Sequence, residues 1–410
     1  MDTLLVIGYV WPEPKSSAAG SHMLSIIRLF RQANWKVLFS TPAQKTDFCL
    51  ELKQENIETK EIQVNSETFD HFISELKPTA VLFDRFLMEE QFAWRVEKYS
   101  PASLRILDTE DLQCLRGARQ LALKENREFN KNDLHSDLSK REIASIYRCD
   151  LSLIISDFEI ELLTEHFSID PSLLLHVPFM LDLNRKPKNL PSFEQRKHFV
   201  TIGNLRHAPN WDSILFLQEI WPLIRKQLPK AELHIYGAYT PPKATALNNP
   251  KIGFLIKDRA VDVNQVMENA RVCLSPLRFG AGIKGKFVDA MMNQTPIITT
   301  DIGAEGMTGQ KIHESCWPGY VEDDINSIVS KSVELYNNEQ KWNEKSQHAH
   351  ELLNRVFDGG KIGLKLIDRV NVLILNIKQH RIDNFIGSML SHHTMRSTEF
   401  MARWIEEKNK

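Results

Sequence analysis

The chain has 410 residues, of which 42% are hydrophobic and 25% charged, and its formal net charge is −2. That is the composition of an ordinary globular protein with room for two or three domains. The near-neutral balance excludes bulk attraction to nucleic acid, which needs a strong basic excess, so any anion site must be local.

The first residues, MDTLLVIGYVWPEP, lack a basic n-region and a long apolar core, so they read as a strand rather than a signal peptide. No run approaches the length of a membrane-spanning helix. Cys49, Cys114, Cys149, Cys273 and Cys316 are scattered, with no CxxC or Cys/His spacing. They support neither a disulfide framework nor a zinc site, and the expected compartment is the cytoplasm.

In chain order, residues 4–10 are an apolar run typical of a buried strand, and residues 21–31 repeat Met23, Ile26, Ile27 and Phe30 at helical spacing. Further strands are expected at 36–40, 80–83, 104–107, 151–156 and 173–177, with helical stretches between them. The polar, proline-bearing segment 184–197, NRKPKNLPSFEQRK, reads as a linker. The pattern then restarts, with strands at 199–202, 232–236, 252–255, 272–276 and 296–300 and helices at 211–227, 261–269 and 284–292. From residue 324 the chain reads as wholly helical, ending in an amphipathic segment at 382–407. The alternation predicts an α/β protein: two doubly wound Rossmann-like domains with parallel sheets facing a cleft, and a helical C-terminal tail. The expected divisions are 1–183, the linker, 198–375, and a tail at 376–410.

The most informative stretch is SPLRFGAGIKGKFVDAMMNQTPIITTDIGAEGM, residues 275–307. It reads as a strand end, a glycine turn (Gly280, Gly282, Gly285), a helix, then a buried strand ending in a second glycine turn (Gly303, Gly306). Glycines let backbone N–H groups approach a ligand, and a helix N-terminus favours negative charge. Arg278, Lys284 and Lys286 sit on or beside the first turn, and Asp289 lies about one helical turn beyond Lys286. Cations for phosphates and a carboxylate for ribose hydroxyls suit a nucleoside diphosphate. The plainer alternative is a tight strand–helix turn with solvated lysines. Positive charge at a helix start opposes the dipole, however, and a bound anion would relieve that cost.

Other candidates are less marked. Ser16, Ser17, Ala18, Ala19 and Gly20 make a small-residue loop that suits either close approach by phosphate or sugar, or an ordinary N-cap. Asp108, Glu110, Asp111, Gln113 and Arg116 sit at a strand end and helix start; the acids either bind a ligand or cap the helix. No metal is expected to be required. Gln113 cannot shuttle a proton but can orient a hydroxyl. His22 either faces the cleft or is structural. His207 either faces a donor or does not. Glu305 either contacts a donor or shapes its loop. Trp211, Trp221 and Trp404 are expected in packing.

With these motifs in place, the chain resembles bacterial GT-B glycosyltransferases of the retaining type, the "group 1" or family 4 class. The segments that carry the resemblance are TIGNLRHAPNWDSILFLQEIWPLIRKQLPKAELHIYG (residues 201–237) and the stretch from residue 275 to 307. LLVIGYVWPEPKSSAAG and LDTEDLQCLRGAR, near the N-terminus, add to it. The resemblance implies that the C-terminal domain holds a nucleoside diphosphate sugar, that the N-terminal domain holds most of a glycan or lipid-linked acceptor, and that the terminal helices cross back. It implies no required cofactor, no nucleic acid, and a cytoplasmic setting with peripheral attachment to a membrane's inner face.

The family's E-x7-E pair falls on Ala281 and Asp289, so the first acid is missing and the second is shortened. Its phosphate-binding Arg and Lys fall on Asn204 and Pro209. The charge is therefore expected to come from the glycine loop. Arg278, Lys284 and Gln113 are the expected catalytic residues. Gly20, Asp111, Asn204, His207, Gly280, Ala281, Gly282, Ile283, Lys286, Asp289 and Glu305 are expected to bind substrate. Two rival readings stay open: an epimerase on the same scaffold, and a partner subunit that has lost the chemistry.

Overall fold

A computed structural model describes residues 1–183, 189–309 and 316–408. Residues 184–188 of the expected linker lie outside these. The chain builds two all-parallel sheets. The first has seven strands in the order β3-β2-β1-β4-β5-β6-β7: β1 Thr3–Ile7, β2 Lys36–Thr41, β3 Glu58–Glu61, β4 Ala80–Asp84, β5 Leu104–Asp108, β6 Leu151–Ile154 and β7 Leu174–His176. The second has six in the order β10-β9-β8-β11-β12-β13: β8 Lys197–Ile202, β9 Leu233–Tyr236, β10 Phe254–Ile256, β11 Ala270–Leu274, β12 Ile297–Thr299 and β13 Gly319–Val321.

Strand alternation explains the layers. Leu5 and Ile7 of β1 point to one face, where Phe69, Phe92 and Leu115 cover them. Leu4 and Val6 point to the other, against Ile26, Ile27 and Phe30 of helix Ala18–Gln32. Both faces are buried, which is why these strands read as continuous apolar runs. Each fully buried aliphatic side chain contributes about 1.5–3 kcal/mol. The second sheet repeats the plan, with Phe199 and Trp221 on one face and Val200, Phe287 and Trp317 on the other.

Strand order reverses between β1 and β4 in one sheet and between β8 and β11 in the other. Ligands bind at such switch points, beyond the carboxyl ends of the strands. The loops that follow β1, β5, β8 and β11 therefore define the site.

Several elements depart from the sequence expectation. β1 stops at Ile7, where β4 ceases to pair with it. β3 and β13 carry no apolar run and were not expected. The tail is helical but broken, as Gly359–Asp383, Phe385–Leu390 and Arg396–Lys408. Trp404 is 60% exposed rather than packed. Leu366, Val370 and Leu373 of helix Gly359–Asp383 already join the N-terminal core. The crossing segments meet where Leu181 N donates to Phe357 O at 3.0 Å and Gly359 N to Leu181 O at 3.0 Å. We propose that the return to the N-terminal domain begins there, ahead of residue 376.

Candidate active site

Between the carboxyl ends of the two sheets lies a cavity of about 1010 Å³. The N-terminal wall carries Ser16, Ser17, Arg85, Glu110, Asp111, Gln113 and Arg116; the C-terminal wall carries Asn204, His207, Asn210, the loop from Gly280 to Lys286, and Asp289. Most of the residues expected from sequence are thus brought together by two separate domains.

The glycine loop is held by both. Gly282 has φ +60°, and a Cβ there would lie 2.9 Å from Cβ of Asp111. Only glycine takes this conformation at that distance without strain. Gly282 N donates to Oε1 of Glu159 at 2.8 Å, and Leu112 N donates to the same oxygen at 3.1 Å. Burial pushes the Glu159 carboxyl up to about 8. Arg119 donates to Gly280 O at 2.9 Å and to both carboxylate oxygens of Glu305 at 2.7 Å. Tyr239 donates to Glu13 at 2.9 Å, a third bridge between the domains.

The cations divide sharply. Lys284 is 8% exposed, and its Nζ donates to Gly282 O at 2.8 Å. Lys286 donates to Oδ1 of Asn210 at 2.7 Å and to Oγ of Ser275 at 3.2 Å. Burial lowers both ammonium groups to about 8. Among the described residues neither forms an ion pair with a carboxylate; both neutral partners leave the charge uncancelled. Asn210 stands in the first turn of helix Ala208–Gln227, and Lys286 in that of helix Gly285–Met292. Two helix N-termini and two unpaired ammonium groups therefore converge on one wall, an arrangement suited to a polyanion. Asp289, partly buried on the same wall, has no hydrogen-bond partner for its carboxylate among the described residues, and burial raises it to about 7.

Three expected residues do not reach the cavity. Arg278 turns outward, pairs with Asp212 through contacts of 2.9 and 2.6 Å, and lies over the Phe216 ring. Its charge is spent on helix Ala208–Gln227. Gly20 is buried in the first helical turn, where a Cβ would lie 2.6 Å from Glu13 N; it permits close packing, not ligand contact. Glu305 is tied to Arg119 and so shapes the loop. Asp111 does line the cavity, but it is engaged by Arg116. Ala281 packs partly against the N-terminal core. Glu159, Arg119 and Asn210 were not anticipated, because each acts on a loop far away in sequence. Nothing near them marks that role.

Among the described residues, one group could hold a metal: His22, Asp108 and Glu110, beside the N-terminal wall.

Comparison with known proteins bears on this geometry. Residues 196–338 match the family model for glycosyl transferases group 1. Among curated proteins none matches significantly in sequence. Solved structures do match in shape. S. aureus TarM, solved with fondaparinux, alpha-GlcNAc-glycerol and UDP, superposes with a TM-score of 0.68 at 11% identity, covering 90% of this chain and 100% of that one. The fold is GT-B. Sucrose-phosphate synthase from Thermosynechococcus elongatus gives a TM-score of 0.67 at 14% identity, covering 92% of this chain and 100% of its own. Anabaena HepE, solved with UDP and glucose, gives 0.67 at 11% identity over 91% of this chain and 100% of its own. In GT-B terms, the matched family segment carries the C-terminal wall, with both lysines and Asp289.

Proposed function

We propose that this GT-B protein is a retaining glycosyltransferase. It moves a sugar from a nucleoside diphosphate sugar to a hydroxyl of a glycan or lipid-linked acceptor, in cell-surface polysaccharide synthesis. The observation that carries the reading is the pair of unpaired ammonium groups, Lys284 and Lys286, beside the free carboxylate of Asp289.

In this reading the diphosphate lies against the C-terminal wall and Asp289 accepts hydrogen bonds from ribose hydroxyls. As the glycosidic bond breaks, negative charge grows on the phosphate oxygens. Preorganised donors facing that charge are worth about 3–4 kcal/mol each. The acceptor hydroxyl enters from the N-terminal wall, where Gln113 orients it. Retention in this reading follows from front-face attack, with the leaving phosphate taking the proton.

No described helix is long and apolar enough to cross a membrane. We place the protein in the cytoplasm, resting on a membrane's inner face. The tail helices, which expose Phe385, Phe400 and Trp404, support that placement.

One observation favours a second reading, a partner subunit without transfer activity. The loop after β8 brings no cation to the cavity, because Arg206 lies over the Tyr239 ring instead. A thermal-shift screen with UDP-, GDP-, ADP- and TDP-sugars decides between them. Transferase function predicts that one donor raises the melting temperature; silence from all of them favours the partner subunit.

A further inference from the structure

We infer that His22, Asp108 and Glu110 form a divalent-cation site behind the N-terminal wall of the cavity, which pins the first helix to the strand ends that carry Asp111 and Gln113.

The spacing is that of ligands around an ion, not of hydrogen bonds. His22 Nδ1 stands 3.7 Å from Oδ2 of Asp108 and 3.9 Å from Oε2 of Glu110, and the three ligand atoms all lie within 4.8 Å of one another. An N–H···O bond closes at about 2.7–3.2 Å. Atoms bound to one ion at about 2.0–2.2 Å stand about 3.5 Å apart at tetrahedral angles. His22 is 1% exposed and Asp108 0%, yet both ring nitrogens and Oδ2 of Asp108 lack any hydrogen-bond partner. Buried polar atoms without a partner each cost about 1–3 kcal/mol, and an ion held between the imidazole and the two carboxylates would satisfy all three groups at once.

The charges agree. Asp84 stands opposite Asp108 in the β4–β5 register and is 5% exposed, and its Oδ1 also has no hydrogen-bond partner. Arg85 is the guanidinium beside these acids, with Nε 3.7 Å from Oδ1 of Asp84. Asp111 is cancelled by Arg116. Three carboxyl groups stand against one guanidinium, so the pocket is acidic and attracts a cation. The backbone turns to make the pocket: Arg85 and Glu110 have φ of +70° and +59°. Non-glycine residues adopt that region rarely and at a cost, commonly at ligand sites. Arg85 and Glu110 also line the cavity, which gives the ion a path in. One imidazole nitrogen with carboxylate oxygens suits Mn²⁺ or Zn²⁺ better than the all-oxygen shells of Mg²⁺ or Ca²⁺.

The test uses chelator-stripped full-length protein, titrated separately with MnCl₂ and ZnCl₂ by calorimetry, with metal content counted after desalting. One ion is expected to bind per chain and to raise the melting temperature. Glu110→Gln and His22→Gln are each expected to weaken that binding by about tenfold or more. Glu110→Gln preserves shape at the cavity rim, so it keeps the test valid if His22→Gln fails to fold. Failure of both ions to bind wild-type protein at about 1 mM would overturn the site, since the pocket would then be neutralised by protons. Stoichiometric binding that survives Glu110→Gln unchanged would also overturn it.

Discussion

The two walls of the cavity both carry charged side chains, and they hold them differently. On the C-terminal wall, Lys284 and Lys286 rest on neutral oxygens and Asp289 is free. On the N-terminal wall, Asp111 is locked to Arg116, and Glu110 reaches back to His22 and Asp108, which are buried behind the wall. A wall with spare charge is prepared for a charged ligand. A wall whose charges are engaged is prepared to hold shape. The contrast teaches that proximity to a glycine loop does not by itself leave a charge free: Arg278 is paired with Asp212, whereas Lys284 and Lys286 rest on neutral oxygens.

The largest expected effect follows from removing that spare charge. Lys284→Ala is expected to lower kcat by about 10²–10³-fold while the melting temperature moves little. Undiminished transfer by the folded variant would erase the contrast. Next comes the ribose contact: Asp289→Asn is expected to weaken donor binding by about tenfold, the value of one hydrogen bond to a charged acceptor. An unchanged KM for donor would remove Asp289 from the site.

Acidity offers a comparable lever. Burial lowers Lys284 and Lys286 to about 8, so in the free protein they are mostly charged at pH 7 and mostly neutral at pH 9. A diphosphate favours the charged form, so donor affinity should fall as pH rises through 8. Calorimetric titration across that range checks the sign, and an affinity that rises with pH contradicts it.

How much of this was legible in sequence varies by element. The buried strands stood out because both their faces are covered, as Leu104–Asp108 shows. β3, with the sequence ETKE, lies at a sheet edge and buries almost nothing, so no apolar signal marks it. At the site, the glycine loop and its lysines were legible as a cluster. Arg278 was misread because sequence gives spacing and not direction; its partner Asp212 lies on another helix. Glu159 and Arg119 were invisible because they act across the domain interface on Gly282 and Gly280.

Smaller effects sharpen the same contrast. Gly282→Ala forces a side chain into a left-handed residue against Asp111 and is expected to destabilise by about 1–2 kcal/mol or more in denaturant titration. A neutral result would show that the loop is not pinned between the domains. Arg278→Ala should be the mildest: its exposed pair with Asp212 is worth about 1 kcal/mol or less, and transfer activity should be unchanged. A large fall in kcat there would restore Arg278 to the site.

The most direct test of the central claim is a titration of UDP-, GDP-, ADP- and TDP-sugars into wild-type protein and the Lys284→Ala/Lys286→Ala double variant. One donor is expected to bind the wild type and to lose about a hundredfold or more in affinity in the folded double variant, since two charged contacts go at once. Equal affinity in both proteins would contradict a C-terminal wall built for the diphosphate.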